Sequence, residues 1–186
     1  MAWQRLAKSG LAALLAVHFF DVLSFYAMYT FLGTAVRAQP GGGSGGFGVY
    51  VGCYGAGLLA GTLNAGLLDR FGKQRVMLLS LAGLVAVFLA FPGAIRHRLT
   101  LGMCMALWGA FQALVQTGSA TRITQCCPDA RVAATACMSS IAYFAVSAGA
   151  GTGGALFAAH GLVGLAMFSS VSVALAFALL SRHAGP

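Results

Sequence analysis

The chain has 186 residues, of which 59% are hydrophobic and only 8% charged, with a mean hydropathy of +0.86. A soluble domain carries roughly 25% charged residues, and eleven Lys/Arg with three Asp cannot cover a globule of this size. The lipid bilayer is therefore the solvent for most of it, which excludes a soluble enzyme, a secreted disulfide scaffold and a disordered tail. The net charge of +8 would suggest nucleic acid in a soluble protein. Here basic ends facing the cytoplasm account for it, with no nucleic-acid partner.

A helix crossing the hydrocarbon core needs roughly 20 mostly apolar residues. The charges divide the chain into such pieces: 11–35, interrupted only by Asp21, then 47–68, 76–95 and 99–120. Between Arg131 and Arg182 no Lys, Arg, Asp or Glu occurs, a stretch too long for one crossing. His160-Gly161 is its natural break, giving 132–157 and 162–180. The expectation is an all-α membrane protein of six transmembrane helices, a single bundle over 1–186. Placing the N-terminus inside puts Arg5, Lys8, Arg70, Lys73, Arg75, Arg122, Arg131 and Arg182 in the cytoplasm, against Arg37, Arg96 and Arg98 outside. That bias predicts both termini in the cytoplasm, for a protein of the plasma (inner) membrane.

The first span invites a secretory-leader reading, because Arg5 and Lys8 precede an apolar run that ends near the small residue Ala38. The run is too long for that and carries His18 and Asp21, so it reads as a retained helix. Residues 38–46, rich in glycine, read as a flexible outside loop. Two enzyme-like patterns are accidental. Gly42-Gly43-Ser44-Gly45-Gly46 lacks the strand and helix of a nucleophile elbow, and the G-x-G-x-x-G match from Gly149 to Gly154 sits within a span, with no strand before it. Cys53, Cys104, Cys126, Cys127 and Cys137 lie in or beside apolar stretches without C-x-x-C spacing, and read as packing residues. No metal, no cofactor and no enzyme activity are expected.

Asp21 is the only acidic residue inside a span. An ionised carboxylate at the bilayer centre costs at least ~2.5–3.5 kcal/mol, so it should face a cavity or a partner. His18 and Ser24 lie three residues to either side, on the same helix face. Two readings stand: a pair that holds and releases a proton, or a structural polar pair inside the bundle. Gln112 and Gln116, one turn apart with Trp108 a turn before them, present amides either to a polar solute or to another helix. Asn64 is a weaker case of the same kind. Tyr26, Tyr29, Tyr143 and Trp3 fit cavity lining, packing or an interfacial belt. Gly57 and Gly61 with Ala65, and Gly149 with Gly153, form small-residue faces that let helices approach closely, either for packing alone or for sliding.

The segment Gly66-Leu67-Leu68-Asp69-Arg70-Phe71-Gly72-Lys73-Gln74-Arg75 carries a turn at Gly72 flanked by cations. It resembles the signature loop of the major facilitator superfamily, G-x-L-x-D-R-x-G-R-[RK]. Leu67, Asp69, Arg70 and Gly72 match and Lys73 replaces an Arg. Ala65 stands where the first Gly belongs and Gln74 where a second cation is common, with Arg75 one place later. Cys127-Pro128-Asp129-Ala130-Arg131 is similar to the family's P-x-x-R turn, and Gly149–Gly154 with Gly161 to its glycine-rich fifth helix. His18-Phe19 and Tyr29-Thr30-Phe31-Leu32 resemble the opening of the C-terminal half in proton-coupled drug, sugar and purine exporters.

The resemblance implies half of a major facilitator fold, built of two inverted three-helix repeats, and export of a small solute against protons by alternating access. Asp21 and His18 would handle the proton, while Gln112, Gln116 and Tyr26 face the solute. Asp69 and Arg70, with Gly72, Lys73 and Arg75, would latch the loop to a second six-helix half, whether in the same protein or another chain. Simple anchoring at the cytoplasmic face is the alternative for these charges, and the one favoured for Lys73. The competing expectation for the whole chain is a truncated or self-associating six-helix membrane protein without transport of its own.

Overall fold

The computed structural model describes residues 10–39 and 46–182. Trp3, Arg5, Lys8 and most of the expected glycine-rich loop lie outside the described residues. Helix follows helix: α1 (Leu11–Arg37), α2 (Gly46–Leu63), α3 (Gly66–Phe71), α4 (Lys73–Ala94), α5 (Arg98–Cys126), a 3-10 turn (Pro128–Ala130) and α6 (Arg131–Arg182). No strand occurs among the described residues. Five stretches are long and apolar enough to cross a membrane: α1, α2, α4, α5, and Pro128–Arg182 of 55 residues.

Two expected boundaries move. The second span does not run to 68, because α2 stops at Leu63 and a short turn leads into α3. Asp69 and Arg70 therefore stand on a six-residue helix of their own. The fourth span runs on past 120 to Cys126. Its polar end is tolerated because Thr121 and Thr124 donate back to the carbonyls of Thr117 (2.8 Å) and Ala120 (3.0 Å), which satisfies each hydroxyl within the helix. Gly72 separates α3 from α4 at φ +88°, a conformation that glycine adopts without a Cβ clash.

α6 is broken at Gly161, whose φ of 59° and ψ of −151° are not helical. The first limb (131–160) lays Gly149 against the carbonyl of Leu23. The second (162–182) sends the Ser169 hydroxyl to the carbonyl of Ser24 at 3.1 Å. Twenty residues of straight helix span about 30 Å, yet positions 149 and 169 meet neighbouring residues of α1. The two limbs therefore fold back on each other.

Contacts set the directions of the helices. Along α1 and the first limb of α6, Phe19 meets Phe144, Leu23 meets Gly149, Ala27 meets Gly153 and Phe31 meets Phe157, so the two run parallel. α2 and α5 are parallel as well, with Gly57 against Ala106 and Gly61 against Ala110 and Ala113. α1 and α5 are antiparallel, as are α4 and the second limb, where Gln74 Nε2 donates to the carbonyl of Leu180 at 3.1 Å. The result is an alternating up-and-down bundle. Both parallel pairs depend on glycine: a Cβ on Gly57 or Gly61 would run into the carbonyl of Ala106 or Ala110, and one on Gly149 would lie 2.6 Å from the Leu23 carbonyl. Only Gly57 and Gly61 are buried on α2, whose large side chains Val49, Leu59 and Leu63 all face outward.

Candidate functional site

The middle of α1 carries the polar centre of the bundle. Asp21 is wholly buried. Gln112 Nε2 donates to Asp21 Oδ2 at 2.9 Å, and Gln116 Nε2 donates to the same oxygen at 3.2 Å. The four-residue spacing puts both amides on one face of α5, so one carboxylate oxygen receives two bonds from the neighbouring helix. On its own helix, Ser24 Oγ donates to the Asp21 backbone carbonyl at 2.7 Å. Ser169 then ties the Ser24 carbonyl to α6. Two sets of residues that the sequence suggested for separate tasks thus form one cluster.

No cation pairs with this carboxyl among the described residues. Among the described residues the ion pair is Lys73 with Asp69, at 3.8 Å. His18 is buried on the same face of α1, but no hydrogen bond joins it to Asp21, and its Nδ1 has no partner. In place of the pairing expected from their spacing, the bonds to Asp21 come across helices from α5. Several buried atoms near the cluster are likewise without partners: Asp21 Oδ1, Gln112 Oε1 and Ser119 Oγ. A buried polar atom without a partner usually costs about 1–3 kcal/mol, so this group departs from the rule that buried polar groups are hydrogen-bonded.

Toward the C-terminal end of α1 the polar centre is closed by aromatic rings. Trp108, fully buried on α5, lies 5.1 Å from Phe25, 6.2 Å from Tyr29, 5.4 Å from Tyr54, 5.4 Å from Phe88 and 5.5 Å from Phe91, measured between ring centroids. Four helices (α1, α2, α4 and α5) meet on this one indole. Tyr26 is partly buried at the margin of the cluster, edge-on to Phe25 at 5.1 Å. Tyr143 points outward from α6. Asn64 turns back on its own helix, its Nδ2 donating to the carbonyl of Ala60 at 2.9 Å. Among the described residues no three His, Cys, Asp or Glu side chains gather as a metal site.

The signature-like segment lies at the far end of the bundle from these rings. Lys73 bridges Asp69 and the side chain of Gln125, the latter at 3.2 Å, which ties the start of α4 to the end of α5. The Arg70 guanidinium stacks over Phe71 at 5.3 Å. Asp69, Arg70, Gly72 and Arg75 are exposed. Sequence reasoning passed over Ser169, Ser119 and Gly109. Serine and glycine are common within spans, and only the tertiary contact singles these out; a Cβ on Gly109 would strike the Tyr54 carbonyl.

Long apolar helices packed around a buried carboxyl define a helical integral membrane protein. No family model matches the chain. It is similar to the uncharacterized MFS-type transporter YwfA of Bacillus subtilis (strain 168), with 28% identity over 166 residues. That match takes in 89% of this chain but 40% of the relative, so the chain spans about two fifths of that protein's length.

Proposed function

We propose that this chain is one six-helix half of a major facilitator transporter, which exports a small solute in exchange for protons by alternating access. The observation that carries this reading is the Asp21 carboxyl, buried in a span, held by two amides and unpaired with any cation among the described residues. Such a group is costly unless it serves an ion or solute pathway. The break at Gly161 supports six crossings, which put both termini on one side of the plasma membrane, and the Lys/Arg bias makes that side the cytoplasm. The matched parallel pairs α1 with the first limb of α6, and α5 with α2, support two inverted three-helix repeats, since in each the second partner brings two glycines against the backbone of the first. The similarity to an MFS-type transporter supports the family.

Within this reading Asp21 and His18 handle the proton, while Gln112, Gln116 and Tyr26 line the path of the solute. Exposed Asp69 and Arg70, with Gly72, Lys73 and Arg75, meet a second half whose binding site lies between the two near the midplane. The test is proton entry into liposomes loaded with a pH-sensitive dye, containing the chain with its partner half and challenged with ethidium, a hexose or a purine. Asp21→Asn should insert normally and lose coupled flux; undiminished coupling would falsify the assignment. A second reading, a self-associating bundle that transports nothing, is favoured by the apolar outward face of α2. Dimers in nanodiscs that carry no solute-dependent proton flux would select it.

A further inference from the structure

The hydrogen bond between α1 and α5 is half of a known chemical pattern. A carboxylic acid and a primary amide can pair through two bonds, with the amide N–H given to one carboxyl oxygen and the acid O–H given to the amide oxygen. Here the first bond is made, Gln112 Nε2 to Asp21 Oδ2 at 2.9 Å. The two atoms left over, Asp21 Oδ1 and Gln112 Oε1, are both buried and both without a partner. As a carboxylate and an amide they are two acceptors on side chains in direct contact. A single proton on Oδ1 satisfies both.

We propose that a proton on Asp21 closes a two-bond acid–amide ring with Gln112, clamping α1 to α5, and that its loss opens the clamp. The inference rests on the reading of Asp21 as the proton-handling group and assigns Gln112 as the positioning residue that senses its state. Closing moves one proton from water to Oδ1; opening returns it and leaves two acceptors repelling each other. Among the described residues no fixed charge forms an ion pair with Asp21. The titratable groups around Asp21 are His18 on α1 and Tyr54 on α2, while α5 contributes only amides there and α6 the hydroxyl of Ser169. Arg122 lies on α5 six residues past Gln116, about 9 Å along the helix; its Nη1 is buried without a partner and it makes no ion pair with Asp21. Gln116 also donates to Oδ2, so it steadies the carboxyl in either state without reporting the proton.

The experiment is infrared difference spectroscopy of the full chain in lipid nanodiscs, stepped from low to high pH. The ring requires a protonated-carboxyl band that disappears in Asp21→Asn. That band should move to higher wavenumber in Gln112→Met, where the carboxyl loses both bonds of the ring, and by clearly less in Gln116→Met, which removes only one donor to Oδ2. In wild-type protein carrying glutamine labelled at the side-chain carbonyl, a labelled amide band should change together with it, which keeps the test open if Gln112→Met fails to fold. Asp21→Asn repeats both bonds of the ring, so its unfolding temperature should not vary with pH where that of the wild type falls as pH rises. A band unmoved in Gln112→Met, or a labelled amide band indifferent to pH, overturns the ring even if proton-driven flux depends on Asp21. A moved band without any proton-driven flux leaves the ring standing and retires the transport reading.

Discussion

Asp21 and Asp69 are the same residue in opposite physical settings. Asp21 lies in the middle of α1 with no exposed surface, its carboxyl held by two amides of α5. Asp69 lies on the short helix α3 with 80% of its side chain exposed, and meets a lysine at 3.8 Å. In water a paired carboxylate is stabilised little by its partner; in a bundle core every lone pair has to be met or its cost is borne by the fold. The cluster between α1 and α5 is therefore where a small chemical change has a large effect, and the α3–α4 corner is where it does not.

The comparison can be broken most sharply at Trp108. Truncation to Ala would remove the ring on which four helices meet, and by the usual cost of such cavities should destabilise the bundle by about 3–5 kcal/mol. Denaturant unfolding in mixed micelles would read this, and a loss under 1 kcal/mol would mean that the rings repack without the indole. Next comes Asp21→Leu, which strips the acceptor from two amides and should cost about 1–3 kcal/mol in the same assay. Asp21→Asn, which restores an acceptor, should recover most of that. At the corner, Gly72→Ala forces a Cβ onto a backbone at φ +88°, and about 1–2 kcal/mol is expected. The smallest effect belongs to Lys73→Ala. The exposed pair should contribute less than about 1 kcal/mol, and raising the salt should erase the difference between variant and wild type. A salt-independent loss there would show that the bond to Gln125 matters more than the charge.

Much of the site could be named from the sequence, but not assembled from it. Asp21, His18, Gln112 and Gln116 stand out because polar side chains are rare and costly within apolar spans. That Asp21 meets Gln112 and not His18 was not legible. Helical spacing orders residues within one helix, whereas this contact joins positions 91 residues apart. The same limit hid Ser169 and the central place of Trp108. Boundaries failed where local chemistry replaced hydropathy: α2 ends before Asn64, and α5 continues through threonines that bond their own helix.

The sequence by itself determined the solvent, because so few charges cannot face water over a chain of this size. It also determined where helices must break, since Gly72 and Gly161 adopt backbone angles that other residues resist. It marked the glycine faces, because only residues without a side chain let two backbones touch. Only the tertiary structure decided which faces meet, and so which oxygen of Asp21 is occupied and which is left open. Pairing of helices in lipid follows shape and hydrogen bonding between distant segments, and neither is written in any one stretch of the chain.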